Sequence, residues 1–446
     1  MRIGLISLAK GSGCPPIGLV YLGTYLQKYT DVEVEIIDLN MGNSLRLPFS
    51  QYDLIGISAM TVHYGEAIKL GRIIKQTSKV PVVIGGVHIS TCPESFEPEA
   101  FDAMVLGEGE LAFVELVKSF KLGSTLAPIW KKDPIKTLQS LPLPNWDLID
   151  PRYFKEAPNT TFGEFGIEGW LMTSRGCPYN CIFCSTKKMW GNPRFHSAPR
   201  VVEMIEDLAK RGVTHIQIWD DLFTINKPRL RDIIVRLSST ESSTLLSTKS
   251  KFKIKFNCQP RVDILDDEMC TILKDMGVTT CIFGFESGSN KTLRYLKNDT
   301  CTVEDNKSAV LTCRKNGLKV QGSVVFGAPG ETQKEMFKTL DFMEWCYKAG
   351  VERLWAFYLT PFPGTSLWRN RELKNWDRLS HTNRPIFLHR NISERTWEQI
   401  EYFIKDYENK FKMNKAKSFL VNNPVKSILY GLTHIKDIIK GFRTHT

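Results

Sequence analysis

The sequence predicts an α/β protein made of two successive βα alternations: a doubly wound parallel sheet, then a partial (β/α)6 barrel. Three observations predict it. Short apolar runs alternate with helix-length amphipathic stretches over residues 1–125, and again over 166–365. The runs end in small residues in the first series and mostly in charged residues in the second. Between the two series lies Leu141-Pro-Leu-Pro-Asn-Trp-Asp, where each proline blocks regular hydrogen bonding, so residues 126–165 read as a linker. Residues 366–446 read as a small, basic, helical region.

In the first series, strands are expected at residues 2–8, 32–38, 54–58, 80–84 and 103–106, and helices at 19–29, 63–77 and 111–120. The first helix is entered through Pro15-Pro16 and Gly18. Such an alternation gives a parallel sheet of about five strands covered on both faces, with ligands at the carboxyl ends of the strands. Ser58, Gly85, Gly86, Gly107 and Gly109 fall there. In the second series, strands are expected at 169–172, 215–219, 253–257, 279–285, 319–326 and 351–359. Helices are expected at 200–211, 227–237, 266–276, 303–316 and 335–350. Functional groups of a barrel belong at the carboxyl ends of its strands, which places Asp220, Asp221, Arg261, Glu286 and Gly327 at one mouth. The tail reads as helices at 394–410 and 425–442. In the second of these, Ile428, Leu432, Ile435, Ile439 and Phe442 recur at helical spacing, either as a stripe packed on the barrel or as an interfacial membrane helix.

At 446 residues, 42% hydrophobic and 24% charged, the chain has the composition of a globular protein of two or three domains with a sizeable core. No apolar run reaches about 18 residues, so no membrane-spanning helix is expected. The start is too short for a signal-peptide core, so the expected location is the cytoplasm. The net charge of +11 is uneven: residues 411–446 hold seven Lys or Arg and one acid, about half of the excess. That tail is a solvated basic segment or a contact for an anionic membrane surface or acidic partner. No nucleic-acid motif accompanies it, so no nucleic-acid partner is expected.

Of the eleven cysteines, three are tightly clustered, in Cys177-Pro-Tyr-Asn-Cys181-Ile-Phe-Cys184. In a reducing compartment that cluster reads as metal binding and the others as core or loop thiols. Three thiolates can hold three irons of a four-iron cube and leave the fourth open to a chelating substrate, whereas such clusters are commonly held by four. A structural zinc site wants four ligands, usually as two close pairs, and no second pair follows. His196 is the nearest histidine that could complete such a set.

The run Thr173-Ser-Arg-Gly-Cys-Pro-Tyr-Asn-Cys-Ile-Phe-Cys-Ser resembles the signature of the radical S-adenosylmethionine (SAM) superfamily. So do Trp219-Asp-Asp-Leu-Phe-Thr-Ile-Asn, Phe283-Gly-Phe-Glu-Ser-Gly-Ser and Gly322-Ser-Val-Val-Phe-Gly-Ala-Pro-Gly-Glu-Thr, in that order over about residues 170–365. The resemblance implies a TIM-like barrel whose [4Fe–4S] cluster, on Cys177, Cys181 and Cys184, cleaves S-adenosylmethionine to methionine and a 5′-deoxyadenosyl radical. It implies Phe183 near the adenine, Asp220 and Asp221 toward the methionine ammonium, Glu286 toward the ribose or that ammonium, and Arg261 toward the methionine carboxylate. Plain structural roles, a cap or turn for the aspartates and a salt bridge for Arg261, stand beside these.

Residues 1–125 resemble the Rossmann-like cobalamin (B12)-binding domain fused upstream of many such enzymes. The resembling pieces are Pro15-Pro-Ile-Gly-Leu-Val-Tyr-Leu, Asp53-Leu-Ile-Gly-Ile-Ser, Val83-Ile-Gly-Gly-Val-His and Leu106-Gly-Glu-Gly-Glu. Cobalamin would then enter the sheet edge near Ser58, Gly85, Gly86 and Gly107. The Asp-x-His-x-x-Gly run that supplies a cobalt ligand elsewhere is missing, so His63 and His88 read as loop or core residues.

The resemblance implies a cobalamin-dependent C-methyltransferase acting on an unactivated carbon, or else a non-methylating oxidoreductase or cyclase of the same architecture. A mere electron carrier would have no use for an open iron. The methylthiotransferases carry a further N-terminal cysteine trio, which Cys14 and Cys92 do not supply. Expected partners are a small-molecule, lipid or peptide substrate and an electron donor such as ferredoxin or flavodoxin, with peripheral membrane contact through the basic tail. Tyr358, at the end of the last barrel strand, is a candidate radical-accepting residue.

Overall fold

The structure, a computed structural model, describes residues 1–8, 13–41, 48–159, 163–239, 254–368, 376, 379, 382 and 392–422. The expected helix at 425–442 and most of the basic tail lie outside the described residues.

The N-terminal strands are β1 (Arg2–Ser7), β2 (Glu33–Asp38), β3 (Leu54–Ser58), β4 (Val82–Gly85), β5 (Ala103–Leu106) and β6 (Ile129–Lys131). They form one parallel sheet in the order β2-β1-β3-β4-β5-β6. The side-chain period of two sorts this sheet into two faces. Ile3, Leu5, Leu54 and Val83 point to one core, together with helices α1 (Ile17–Tyr29) and α4 (Gly109–Lys121). Ile6, Ile55, Ile57, Val82 and Ile84 point to the other, under α2 (Tyr64–Thr77). The sheet is therefore doubly wound, as expected, with α3 (Val87–Thr91) as a single turn after β4.

Two features of residues 126–165 differ from a plain linker. β6 adds a sixth strand, with Met104 opposite Ile129. It is a three-residue edge strand whose Ile129 and Lys131 are exposed, so it carries no apolar run to betray it. A hairpin, β7 (Ala157–Asn159) with β8 (Glu164–Gly166), then approaches the starts of two barrel strands. There Glu164 Oε1 lies 3.1 Å from His215 Nε2 and pairs with Lys255 Nζ. Burial would raise the Glu164 carboxyl, but hydrogen bonds from His215 and Lys255 and the Lys255 charge hold it down at about 2.

The second sheet runs β9 (Glu168–Leu171), then β12 (His215–Ile218), β13 (Lys255–Cys258), β14 (Val278–Glu286), β15 (Lys319–Phe326) and β16 (Arg353–Tyr358). All neighbours are parallel and follow chain order, which is the expected open six-stranded barrel. A short hairpin, β10 (Ser174–Arg175) with β11 (Arg194–Phe195), brackets the cysteine loop and the short helix α5 (Thr186–Trp190). The covering helices are α6 (Ala198–Lys210), α7 (Lys227–Ser239), α8 (Asp267–Asp275), α9 (Asn290–Lys297), α10 (Val303–Lys315) and α11 (Gln333–Lys348). Their buried faces join the α1/α4 side of the first sheet in one continuous core.

The last helix, α12 (Glu394–Asn422), is longer than the expected 394–410. It packs on β16 and α11 through buried Trp397 and Ile400, and Tyr407 donates to Glu344 Oε2 at 2.9 Å. Among the described residues, no helix is long and apolar enough to cross a membrane.

Candidate functional site

The cysteine loop leaves β10 through Gly176, which adopts φ +94 and would clash with Asn192 backbone if it carried a β-carbon. Cys177 and Cys181 are half-buried and Cys184 is exposed. Burial pushes the Cys177 thiol up, its neighbours Cys184 and Cys181 add to this, and Arg261 opposes it. Arg261 Nη1 lies 3.7 Å from Cys181 Sγ, and its guanidinium sits 3.5 Å from the centre of the Tyr179 ring. Asp263 and Thr300 hold Arg261 in that place, at 2.8 Å each.

Among the described residues no three His, Cys, Asp or Glu side chains are gathered as ligands of a single ion. Thiolates of a cube bind separate irons and need no such convergence. His196 does not join the cysteines. It is buried, and that burial, helped by the charges of Arg175, Arg200 and Arg229, drops its pKa to about 3. The donor set thus fits a cube held by three thiolates, with the Arg261 guanidinium beside the Cys181 sulfur.

The two aspartates brace the same loop. Asp220 is buried and accepts from Thr173 N and Thr173 Oγ1, each at 2.5 Å, and from Ser174 Oγ at 2.6 Å. Burial raises its pKa, while these donors and Arg229 oppose the rise. Asp221 accepts from Gly176 N at 2.8 Å and Thr186 Oγ1 at 3.1 Å, so it ties the two ends of the loop together.

Glu286, the last residue of β14, sits at φ +61, a region non-glycine residues occupy only when the surroundings impose it. A register shift between Gly284 and Glu286 goes with it. Its Oε1 lies 2.8 Å from Lys297 Nζ, both side chains being about nine-tenths buried. Lys297 also donates to Gly284 O at 3.1 Å and lies 5.8 Å from the centre of the Phe183 ring. Phe183 and Ile182 pack with Leu296, Ala328 and Leu359 into a small apolar group of their own. Glu331, of the Gly327-Ala-Pro-Gly-Glu-Thr turn, accepts from Gly327 N at 2.6 Å and Ala328 N at 3.1 Å, and burial lifts its pKa to about 7. Tyr358 OH donates to Glu401 Oε1 at 3.0 Å, which turns it toward the C-terminal helix.

Ser58, Gly85, Gly86 and Gly107 come together at the carboxyl end of the first sheet. Gly86 has φ +96, and a β-carbon there would lie 2.8 Å from Ala59 O and 3.0 Å from Ser58 Oγ. Around Gly107, at φ +78, no atom lies within 4 Å of that position, and at Gly85 the nearest is Val105 O at 3.9 Å. These are strand ends kept bare beside open space, which suits a bulky group lying against the backbone. His88 is no ligand there. Its Nδ1 is 3.1 Å from Thr61 Oγ1, its Nε2 is 3.0 Å from Ser95 Oγ, and burial takes its pKa to about 3.

Sequence reasoning missed the side chains that join the two regions. Arg175, two residues before Cys177, pairs with Glu110 at 2.6 Å, and Arg194 pairs with Glu108. Lys188 Nζ donates to Thr91 O at 2.9 Å, again from the cysteine side to the first sheet. The signal available was the pair of acids inside Leu106-Gly-Glu-Gly-Glu, in a turn where glycines alone had been weighed. Lys297 was missed because α9 offers only eight mostly polar residues.

Residues 171–343 match the family model of the radical SAM superfamily, and residues 6–117 that of the B12-binding domain. The chain is 33% identical over 391 residues to an uncharacterized methyltransferase of Pyrococcus horikoshii, a match covering 81% of this chain and 80% of that one. It is 25% identical over 386 residues to the anaerobic magnesium-protoporphyrin IX monomethyl ester cyclase of Rubrivivax gelatinosus, covering 80% of this chain and 66% of the cyclase. Among solved structures, it is similar in fold to the radical S-adenosylmethionine methyltransferase TsrM from Kitasatospora setae with cobalamin and a [4Fe–4S] cluster bound. That likeness has a TM-score of 0.65 and 19% identity, and covers 82% of this chain and 76% of the other.

Proposed function

We propose a reaction from one premise: the chain belongs to the radical SAM family whose members carry an N-terminal B12-binding domain. The reaction is methyl transfer from S-adenosylmethionine to an unactivated carbon, with a [4Fe–4S] cluster, a second S-adenosylmethionine and cobalamin. The observation that carries it is the direct seating of the bare strand ends of the first sheet on the three-cysteine loop, through Glu108, Glu110, Arg175 and Arg194. Two reactive groups that must exchange with one substrate need such adjacency.

Cys177, Cys181 and Cys184 would hold the cluster, and Ser58, Gly85, Gly86 and Gly107 would line the cobalamin site. When bound, the two groups supply radical-generating reduction and a transferable methyl. The rest falls to the chain's own residues. Asp220 and Asp221 fix the loop backbone rather than reach for a ligand, because their oxygens are already engaged by Thr173, Ser174, Gly176 and Thr186. Arg261 donates to the Cys181 sulfur, which takes it toward the cluster in place of a carboxylate. Glu286 and Lys297 present a charged pair beside Phe183, suited to the ribose and the amino-acid end of S-adenosylmethionine. The apolar group around Phe183 excludes water from the radical's path. Electrons would come from a donor of the ferredoxin or flavodoxin class. The substrate is of the small-molecule, lipid or peptide kind.

Product analysis tests this. The anaerobically reconstituted chain, with S-adenosylmethionine and a low-potential reductant, should form both 5′-deoxyadenosine and S-adenosylhomocysteine. The likeness to the cyclase supports a second reading, radical chemistry without methylation. It would give 5′-deoxyadenosine alone.

A further inference from the structure

Resting on that reading, we infer that Glu108 and Glu110 are positioning residues for the cysteine loop, and that through them the two strand-end sites are energetically coupled.

Both glutamates follow Gly107 at the end of β5, and each is 5% exposed. Arg175 is as deeply buried, at 4%. Its Nη2 lies 2.6 Å from Glu110 Oε1 and its Nη1 3.5 Å from Glu108 Oε2. Arg194 stands opposite Arg175 in the β10/β11 hairpin and gives Nη2 to Glu108 Oε1. Glu108 Oε2 accepts from Ile135 N at 2.9 Å, and the rings of Tyr21 and Trp190 lie 5.5 and 5.2 Å from the Arg175 guanidinium. Two acids and two guanidinium forks therefore balance in a buried group of fixed geometry.

The contacts continue on both sides. Gly107 N donates to Ser90 Oγ at 2.9 Å, and Ser90 Oγ donates to Gly86 O at 2.7 Å. From Arg175 the chain passes through Gly176 to Cys177. A group lying against Gly85 and Gly107 bears on the turn that holds Arg175, and a cluster on Cys177 bears on Arg175 from the other end. Coupling between two binding sites is reciprocal, so either occupant can report it.

The test measures hydroxocobalamin affinity of the full chain without oxygen, once with the [4Fe–4S] cluster reconstituted and once cluster-free. In the wild type the two dissociation constants should differ by about fivefold or more. In Glu110→Gln, and in the balanced variant Glu110→Gln/Arg175→Gln, which leaves the Glu108–Arg194 pair intact and no buried charge unpaired, the ratio should fall toward one. A purely structural role would lower stability and leave the ratio alone. A wild-type ratio near one, or a balanced variant that keeps the wild-type ratio, overturns the inference while the two-cofactor reading stands. A wild-type chain that takes up no hydroxocobalamin overturns both.

Discussion

The carboxyl ends of the two sheets solve the same task in opposite ways. In the first sheet the ends are emptied: Gly107 borders open space, Gly85 meets only Val105 O at 3.9 Å, and Gly86 holds a conformation that side chains resist. In the barrel the ends are filled with charges that are already satisfied. Asp220 takes three hydrogen bonds from Thr173 and Ser174, Glu286 pairs with Lys297, and Arg261 is clamped by Asp263 and Thr300. An emptied edge suits a large ligand recognised by shape, since backbone can approach it closely. A filled edge suits a small, charged ligand whose orientation decides the chemistry, since fixed dipoles and charges do not have to reorganise.

The contrast can be broken at several points. The largest effect belongs to Cys177→Ala, which should remove cluster iron and reduce 5′-deoxyadenosine to the level of the cluster-free chain. The variant should still take up cobalamin at saturating concentration, because the bare edge is built from the first sheet without that thiol. Loss of both by metal analysis would merge the two regions into one folding unit.

Glu286→Gln should come next. It leaves Lys297 buried without its counter-charge, a loss of about 3 kcal/mol in denaturant unfolding. Glu286→Gln/Lys297→Met should recover most of the stability but not S-adenosylmethionine cleavage. Recovery of both would reduce the pair to packing.

On the emptied side, Gly86→Ala should cost about 2 kcal/mol of stability, because φ +96 and the contacts with Ala59 both oppose a side chain. Gly85→Val meets only Val105 O, at van der Waals distance from its β-carbon. It should change stability by less than about 1 kcal/mol, yet weaken cobalamin binding about tenfold or more. A Gly85→Val chain that binds cobalamin normally would show that the space serves something else.

The smallest effect concerns pH. Burial raises the Glu331 carboxyl from 4.5 to about 7 in the folded chain. The folded state then binds more protons than the unfolded one between those values, so this group's contribution is full below about pH 4.5 and is lost as pH rises through about 7. Glu331→Gln should keep the Gly327 and Ala328 N–H bonds, flatten that slope, and be more stable than the wild type at pH 8. An unchanged slope in unfolding curves at pH 5 and 8 would show that Glu331 stays charged throughout.

How much of this was legible follows from sequence distance. The cysteine trio spans eight residues, so its clustering was visible in the spacing alone. Strands such as 319–326 were readable because apolar alternation is strong and local. β6 was not, being three residues at an exposed edge. The bracing role of Asp220 was not, because Thr173 and Ser174 lie 47 and 46 residues away. Nor was the pairing of Glu110 with Arg175, 65 residues apart. The type of each chemical group could be read locally. Whether it faces a ligand or braces the backbone depends on partners that only the folded sheet order brings near.

The two kinds of strand end are expected to hold two different reactive groups in one chain. The most direct test is to reconstitute it without oxygen in iron, sulfide and hydroxocobalamin, desalt, and measure metal per chain. The expected result is about four irons and about one cobalt. Four irons with no cobalt would contradict the claim, leaving the emptied edge without its ligand and methyl transfer without its carrier.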